Sequence, residues 1–150
     1  MRQILSFFIV INCCSAARSE TLTLKQTCLT YLKSYSSFFK KEVLIDKICD
    51  QVEVRKECYS SEGVPIFHWD YNSKNNDAKK VLVLSLIHGD EKQAGELGRF
   101  WLERLSKLDA RNSWRIIPVA NPDGVNNNTR TNGRGVDLNR NFPTSDWSKE

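Results

Sequence analysis

Long hydrophobic runs are nearly missing from this chain of 150 residues. The one compact apolar stretch, Ile4 to Ile11, is too short to cross a bilayer as a stable helix, so no stable membrane span is expected. There is no run of basic residues, and a net charge of +4 is mild, which argues against a nucleic-acid partner. No Cys-x-x-Cys pair occurs among the five cysteines, which excludes the usual structural zinc frameworks. Internal repeats and low-complexity tracts are absent as well. What is present, 40% hydrophobic and 27% charged residues, suits one globular domain with a sizeable core.

The first residues read as an address. Arg2 supplies a positive start, Ile4 to Ile11 an apolar centre, and Ser15-Ala16-Ala17 the small residues that a signal peptidase reads. Residues 1–17 are therefore expected to be a signal peptide. The remainder, 18–150, is expected to be exported, to a periplasm or to the outside. Cys28, Cys49 and Cys58 would stay in the mature chain and allow one disulfide in any of three pairings.

Apolar residues Leu24, Cys28, Tyr31, Leu32, Tyr35 and Phe39 recur at helical spacing and predict a helix from Leu24 to Phe39. Val52 and Val54 alternate with charged residues, and Val64 to Tyr71 follows turn chemistry at Ser60 to Gly63. These two segments predict an antiparallel ribbon. Val81 to Ile87 is nearly continuous in apolar residues, as in a strand buried on both faces. A helix beginning near Glu91 places Ala94, Leu97, Trp101, Leu105 and Leu108 on one stripe. Trp114 to Val119 is a further strand, and the three together predict a βαβ unit with the usual right-handed crossover. Asn121-Pro122-Asp123-Gly124 reads as a turn, followed by a polar loop rich in Asn, Gly, Thr and Arg. The fold class is α/β, a mixed sheet flanked by helices.

His88 and Glu91 stand three positions apart where the central strand gives way to the helix. Open α/β sheets collect ligands at the carboxyl ends of their strands, and zinc accepts imidazole nitrogen and carboxylate oxygen. Downstream lie Arg130, Asn139 and Arg140. Guanidinium and amide donors are suited to holding an anion, so metal and carboxylate are expected in one pocket. Arg134 reads as a solvated loop charge, and His68, on an early strand, as a residue without a role. Asn127-Asn128-Thr129 matches a glycosylation pattern by chance.

Ser61-Glu62-Gly63-Val64-Pro65-Ile66, His88-Gly89-Asp90-Glu91, Asn121-Pro122-Asp123-Gly124 and the run from Arg130 through Pro143 occur in this order over residues 58–143. As an ordered set they resemble the zinc carboxypeptidases, the carboxypeptidase A-like metallopeptidases. The resemblance implies one zinc ion held by His88 and Glu91, and Arg130 as the group that polarises the scissile carbonyl and steadies the oxyanion. It implies Asn139 and Arg140 as the pair that binds the terminal carboxylate of a peptide substrate. The short loop from Gly124 to Arg130 and Asp90 within the zinc motif look like the bacterial murein-peptide amidases of this family. Those cleave the γ-D-glutamyl–diaminopimelate bond of cell-wall peptides. The family takes its third zinc ligand, a histidine, and its catalytic glutamate from segments after the matched region. The given chain is thus expected to be the N-terminal part of such a domain, inactive by itself. The alternative is a non-catalytic module that binds peptide carboxylates.

Overall fold

A computed structural model describes residues 22–34, 43–52, 54–140, 142 and 144. The signal-peptide expectation and the stretch from Tyr35 to Phe39 of the first predicted helix lie outside the described residues.

Two helices come first, α1 (Leu24–Ser34) and α2 (Val43–Asp50). Thr23 and Gln26 open α1 reciprocally: the Thr23 hydroxyl accepts from the Gln26 amide, and the Gln26 side chain accepts from the Thr23 amide. This is a capping box, which satisfies donors that the first turn leaves free. The buried face of α1 is Cys28, Tyr31 and Leu32, as its periodicity predicted, whereas Leu24, expected on the same face, is exposed at the start of the helix. α2 was not foreseen. A disulfide joins the two helices through Cys28 and Cys49, leaving Cys58 free, so one of the three possible pairings is selected. Closing a loop with a sequence separation of 21 removes chain entropy worth about 3 kcal/mol.

The sheet has three strands in the order β1 (Trp69–Tyr71), β3 (Ser113–Ile117), β2 (Lys80–Leu84). β2 and β3 are parallel and are connected through α3 (Lys92–Leu105), which is the predicted βαβ unit. β1 runs antiparallel to β3, with Trp69 opposite Ile116 and Tyr71 opposite Trp114. Trp69, Ile116 and Val83 share a face and join the core with Leu102, Leu105, Leu32 and Ile45. Tyr71 donates its hydroxyl to the Leu102 carbonyl, and Trp114 stacks on Trp101 at 5.3 Å between ring centroids, so α3 is pinned to that face.

Four expectations change. Residues 52 and 54 lie in no strand, and among the described residues the early ribbon is marked by a bridge between Tyr59 and Pro65. Val52 and Val54 pack against the core, and a tight turn follows in which the Cys58 amide donates to the Arg55 carbonyl. β2 is not covered on both faces: among the described residues it is an edge of this sheet, and Leu82 is 57% exposed on the side where Asp70 and Arg115 pair. The stripe on α3 is also rotated, since Leu97 and Leu108 are exposed, whereas Gly95, Gly98, Arg99 and Leu102 are buried. A Cβ at Gly98 would stand 2.8 Å from Ser85 Cβ, so the helix lies on the sheet backbone through its small residues. Reading only the large apolar side chains misplaces such a face. Finally, Asn121 to Gly124 is no isolated turn but the start of α4 (Pro122–Asn127). Asn121 caps it by accepting from the Gly124 amide at 2.9 Å, Pro122 takes the first turn where no donor is needed, and left-handed Asn128 ends it.

Candidate metal and carboxylate site

β2 stops at Leu84, and Ser85 continues the ladder by one bond to Ile117. Leu86 then adopts a left-handed backbone at φ 50°, an unfavourable state for a branched residue that redirects the chain toward the helix. Asn121 fixes the redirected segment, its amide donating to the Leu86 carbonyl and its side chain to the Ile87 carbonyl. Gly89 then lies against the Gly124 backbone so closely that a Cβ would collide with it, and its amide donates to the Thr129 carbonyl at 3.0 Å. The His-Gly-Asp-Glu and Asn-Pro-Asp-Gly motifs are therefore packed backbone to backbone, which explains Gly89, whereas a Cβ at Gly124 would meet the Asn121 side chain and the Thr131 carbonyl.

His88, carried on this turn, is 5% exposed and held at both ring nitrogens. Nδ1 lies 3.0 Å from Glu91 Oε1, and Nε2 lies 3.0 Å from Asp137 Oδ1. Glu91 precedes α3 but makes no side-chain cap to it; the carboxylate is turned back to the imidazole instead. Asp137 Oδ2 accepts from Arg130 Nε at 2.9 Å, and Oδ1 also accepts from the Asn139 amide. Desolvation opposes the charged form of Asp137, but the hydrogen bonds from His88, Arg130 and Asn139 outweigh it and hold the carboxyl at about 2. Arg130 Nη1 approaches Glu91 Oε1 at 3.7 Å, so its guanidinium bridges the two carboxylates at the solvent side.

An ionised Asp137 can only accept, so His88 Nε2 carries the proton. In a neutral ring Nδ1 then presents a lone pair to a carboxylate oxygen, which calls for a proton or a cation between them. Two ligands of a tetrahedral zinc, each about 2.1 Å from it, stand about 3.4 Å apart. The observed 3.0 Å is close to that spacing, so the donor pair fits zinc. Among the described residues no group of three or more His, Cys, Asp and Glu side chains is arranged to hold a metal. Asp137 does not complete one because it sits at the opposite ring nitrogen.

Leu138–Arg140 forms a 3₁₀ turn, its Arg140 amide donating to the Asp137 carbonyl. Asn139 and Arg140 are both exposed on this turn, and Arg140 Nη1 donates to the Asn139 carbonyl at 3.1 Å. All five residues singled out from sequence thus fall on one connected network. His68 lies elsewhere, lining an open cleft with Lys47, Gln51 and Ser106. Asp137 was missed; its signal was its place inside the Gly-Val-Asp-Leu-Asn-Arg run, read only for its arginine and asparagine. Asn121 and Asp123 stood in the Asn-Pro-Asp-Gly motif but were read only as a turn.

Residues 77–150 match the succinylglutamate desuccinylase/aspartoacylase catalytic domain family. Murein peptide amidase A of Escherichia coli K12 is 37% identical over 68 residues, which is 45% of this chain and 27% of that protein's length. A metallo-carboxypeptidase from Burkholderia cenocepacia superposes with a TM-score of 0.54 at 24% identity, covering 80% of this chain and 33% of the other. Thrombin-activatable fibrinolysis inhibitor gives 0.55 at 20% identity, covering 79% and 33%. The fold is zinc carboxypeptidase-like. The mixed sheet and flanking helices expected from sequence agree with that carboxypeptidase-like fold, and the likeness to a murein peptide amidase agrees with the motifs. The chain spans about a quarter to a third of the lengths of these relatives.

Proposed function

We propose that this chain is the N-terminal part of a zinc-dependent peptidase or amidase that hydrolyses the terminal amide bond of a peptide bearing a free carboxylate. The observation that carries this reading is the pairing of His88 Nδ1 with Glu91 Oε1, backed by Asp137 and Arg130. His88 and Glu91 would hold the ion, which supplies Lewis-acid polarisation of the scissile carbonyl. Asp137 fixes the ring so that Nδ1 faces the ion position, the usual use of a carboxylate behind a ligating histidine. Arg130, anchored through Nε, has guanidinium donors on the open side to steady negative charge developing on the carbonyl oxygen. Asn139 and Arg140, exposed on the adjoining turn, grip the substrate's terminal carboxylate and set the exopeptidase register.

The name of the amidase relative supports cell-wall peptides as the substrate class. The Cys28–Cys49 disulfide and the signal-like start support export to a periplasm or beyond, since disulfides persist in oxidising compartments.

The test is steady-state kinetics of the zinc-loaded full-length gene product on matched peptide acids and amides. Arg140→Ala is expected to lower kcat/KM on the acid by an amount worth about 2–5 kcal/mol, about thirty- to several-thousand-fold. Arg140→Lys recovers part of it, because an ammonium lacks the planar fork. Arg130→Ala falls mainly on kcat. Equal losses on acid and amide for Arg140→Ala would contradict its role. Peptide binding without turnover would favour the non-catalytic binding module instead.

A further inference from the structure

Asp123 is the one buried acidic side chain among the described residues, with no exposed surface. Oδ2 accepts from the Ser61 hydroxyl at 2.7 Å. Desolvation pushes its carboxyl up, but the Ser60 and Ser61 hydroxyls and the Glu62 and Gly133 amides around it win, leaving it below the usual range. None of these groups meets Oδ1 in hydrogen-bonding geometry, so that oxygen is buried without a partner. As a contributor to stability alone this is poor chemistry, since an unsatisfied buried carboxylate oxygen costs more than an apolar replacement of the same shape.

What the carboxylate does is join separate segments. It sits in the first turn of α4, next to Gly124, which backs onto the zinc-motif glycine. On one side it holds Ser61, whose neighbour Glu62 accepts from Asn127 at the far end of α4. On the other side lies Gly133, where a Cβ would stand 2.8 Å from Ser61 Oγ and 2.9 Å from Asp123 Oδ2. Gly133 belongs to a tight turn in which the Asn132 side chain accepts from the Arg134 and Val136 amides. That turn is the link between Arg130 and the Asp137–Arg140 segment.

We propose that Asp123 is a positioning residue: through Ser61 and the Gly133 turn it sets the placement of the 130–140 loop, and with it the discrimination for a free terminal carboxylate. The proposal rests on the carboxypeptidase reading above. Asp123 itself touches neither ion position nor substrate. It acts by keeping Arg130 and the Asn139-Arg140 turn in one frame relative to His88.

The experiment compares Asp123→Asn, Ser61→Ala and the double variant with the parent, all as zinc-loaded full-length protein. The acid-to-amide ratio of kcat/KM is expected to fall about tenfold or more in Asp123→Asn, as small misplacements of a binding group do. Zinc content should hold, and the double variant should lose no more than Asp123→Asn alone, because both changes break one link. Amide hydrogen exchange at Asn139 and Arg140 should quicken about tenfold while Ser85 and Ala120 keep their protection. An unchanged ratio with unchanged exchange would overturn the proposal. So would equal losses on acid and amide with exchange raised throughout, the mark of general destabilisation. If Asp123→Asn does not fold, Ser61→Ala decides on the same readouts. A parent without acid preference would sink the catalytic reading instead, and exchange at Asn139 and Arg140 would then decide whether Asp123 holds the loop.

Discussion

Asp137 shows how much one side chain can organise. Its two oxygens take a ring nitrogen of His88, the Arg130 guanidinium and the Asn139 amide, so the groups proposed to face metal, oxyanion and substrate carboxylate share one anchor. Asp137→Asn is expected to weaken zinc binding by about 10- to 100-fold, because the amide is a poorer acceptor for Nε2–H and leaves the ring free to turn. Competition with a metal-buffering chelator measures this; an affinity within twofold of the parent would show that the ring does not depend on it. The five residues chosen from sequence stood out by their chemistry, imidazole, carboxylate, guanidinium and amide, and by the ordered motifs whose resemblance implied their roles; the structure places them on one network. Asp137 and Asp123 were not, because a carboxylate that serves another side chain is recognised by what it touches, and sequence spacing does not carry that information.

At the level of elements, two contacts can be tested separately. The Gly89–Gly124 contact leaves no room for a methyl group between two backbones, and neither side has a flexible end to yield. Gly89→Ala should cost about 3 kcal/mol, at the upper end for overpacking, or prevent folding. Denaturant unfolding gives the value, and a change under about 0.5 kcal/mol would mean that the two motifs do not touch. The β1–β3 pair carries Asp70 and Arg115, joined by a two-pronged bond of 2.7 and 2.6 Å. The Arg115 hydrogen bond holds the Asp70 carboxyl below its usual range. A carboxylate depressed in the folded state stabilises above its unfolded pKa of about 3.9 and loses that contribution as pH falls through the folded value. The parent should therefore lose stability faster than Asp70→Asn on acidification below about pH 4, with a neutral-pH difference under about 1 kcal/mol for so exposed a pair. Parallel slopes would contradict it. The βαβ unit was legible from the Val81–Ile87 run and the Trp114–Val119 run, although both strands end earlier than their apolar runs. β1 was legible only as part of a longer strand. Its partner is β3, more than forty positions later, and local alternation cannot report so distant a pairing.

For the molecule as a whole, the site is assembled where three chain segments converge. The strand end brings His88 and Glu91, α4 holds the corner, and the 130–140 loop closes over them with Arg130 and Asp137. No helix among the described residues is long and apolar enough to cross a membrane. Edge strand β2 with exposed Leu82 is the feature that sequence reading placed wrongly, since a continuous apolar run indicates a strand that wants cover on both faces without saying what provides it. The central claim is that His88 and Glu91 share a zinc ion while Asp137 orients the ring. Anomalous diffraction at the zinc edge, from crystals of the full-length protein grown with zinc, tests it most directly. The account predicts a single strong peak within about 2.2 Å of both His88 Nδ1 and a Glu91 carboxylate oxygen, with Nε2 still bonded to Asp137. A peak at His88 Nε2, at His68, or none at this turn would contradict it.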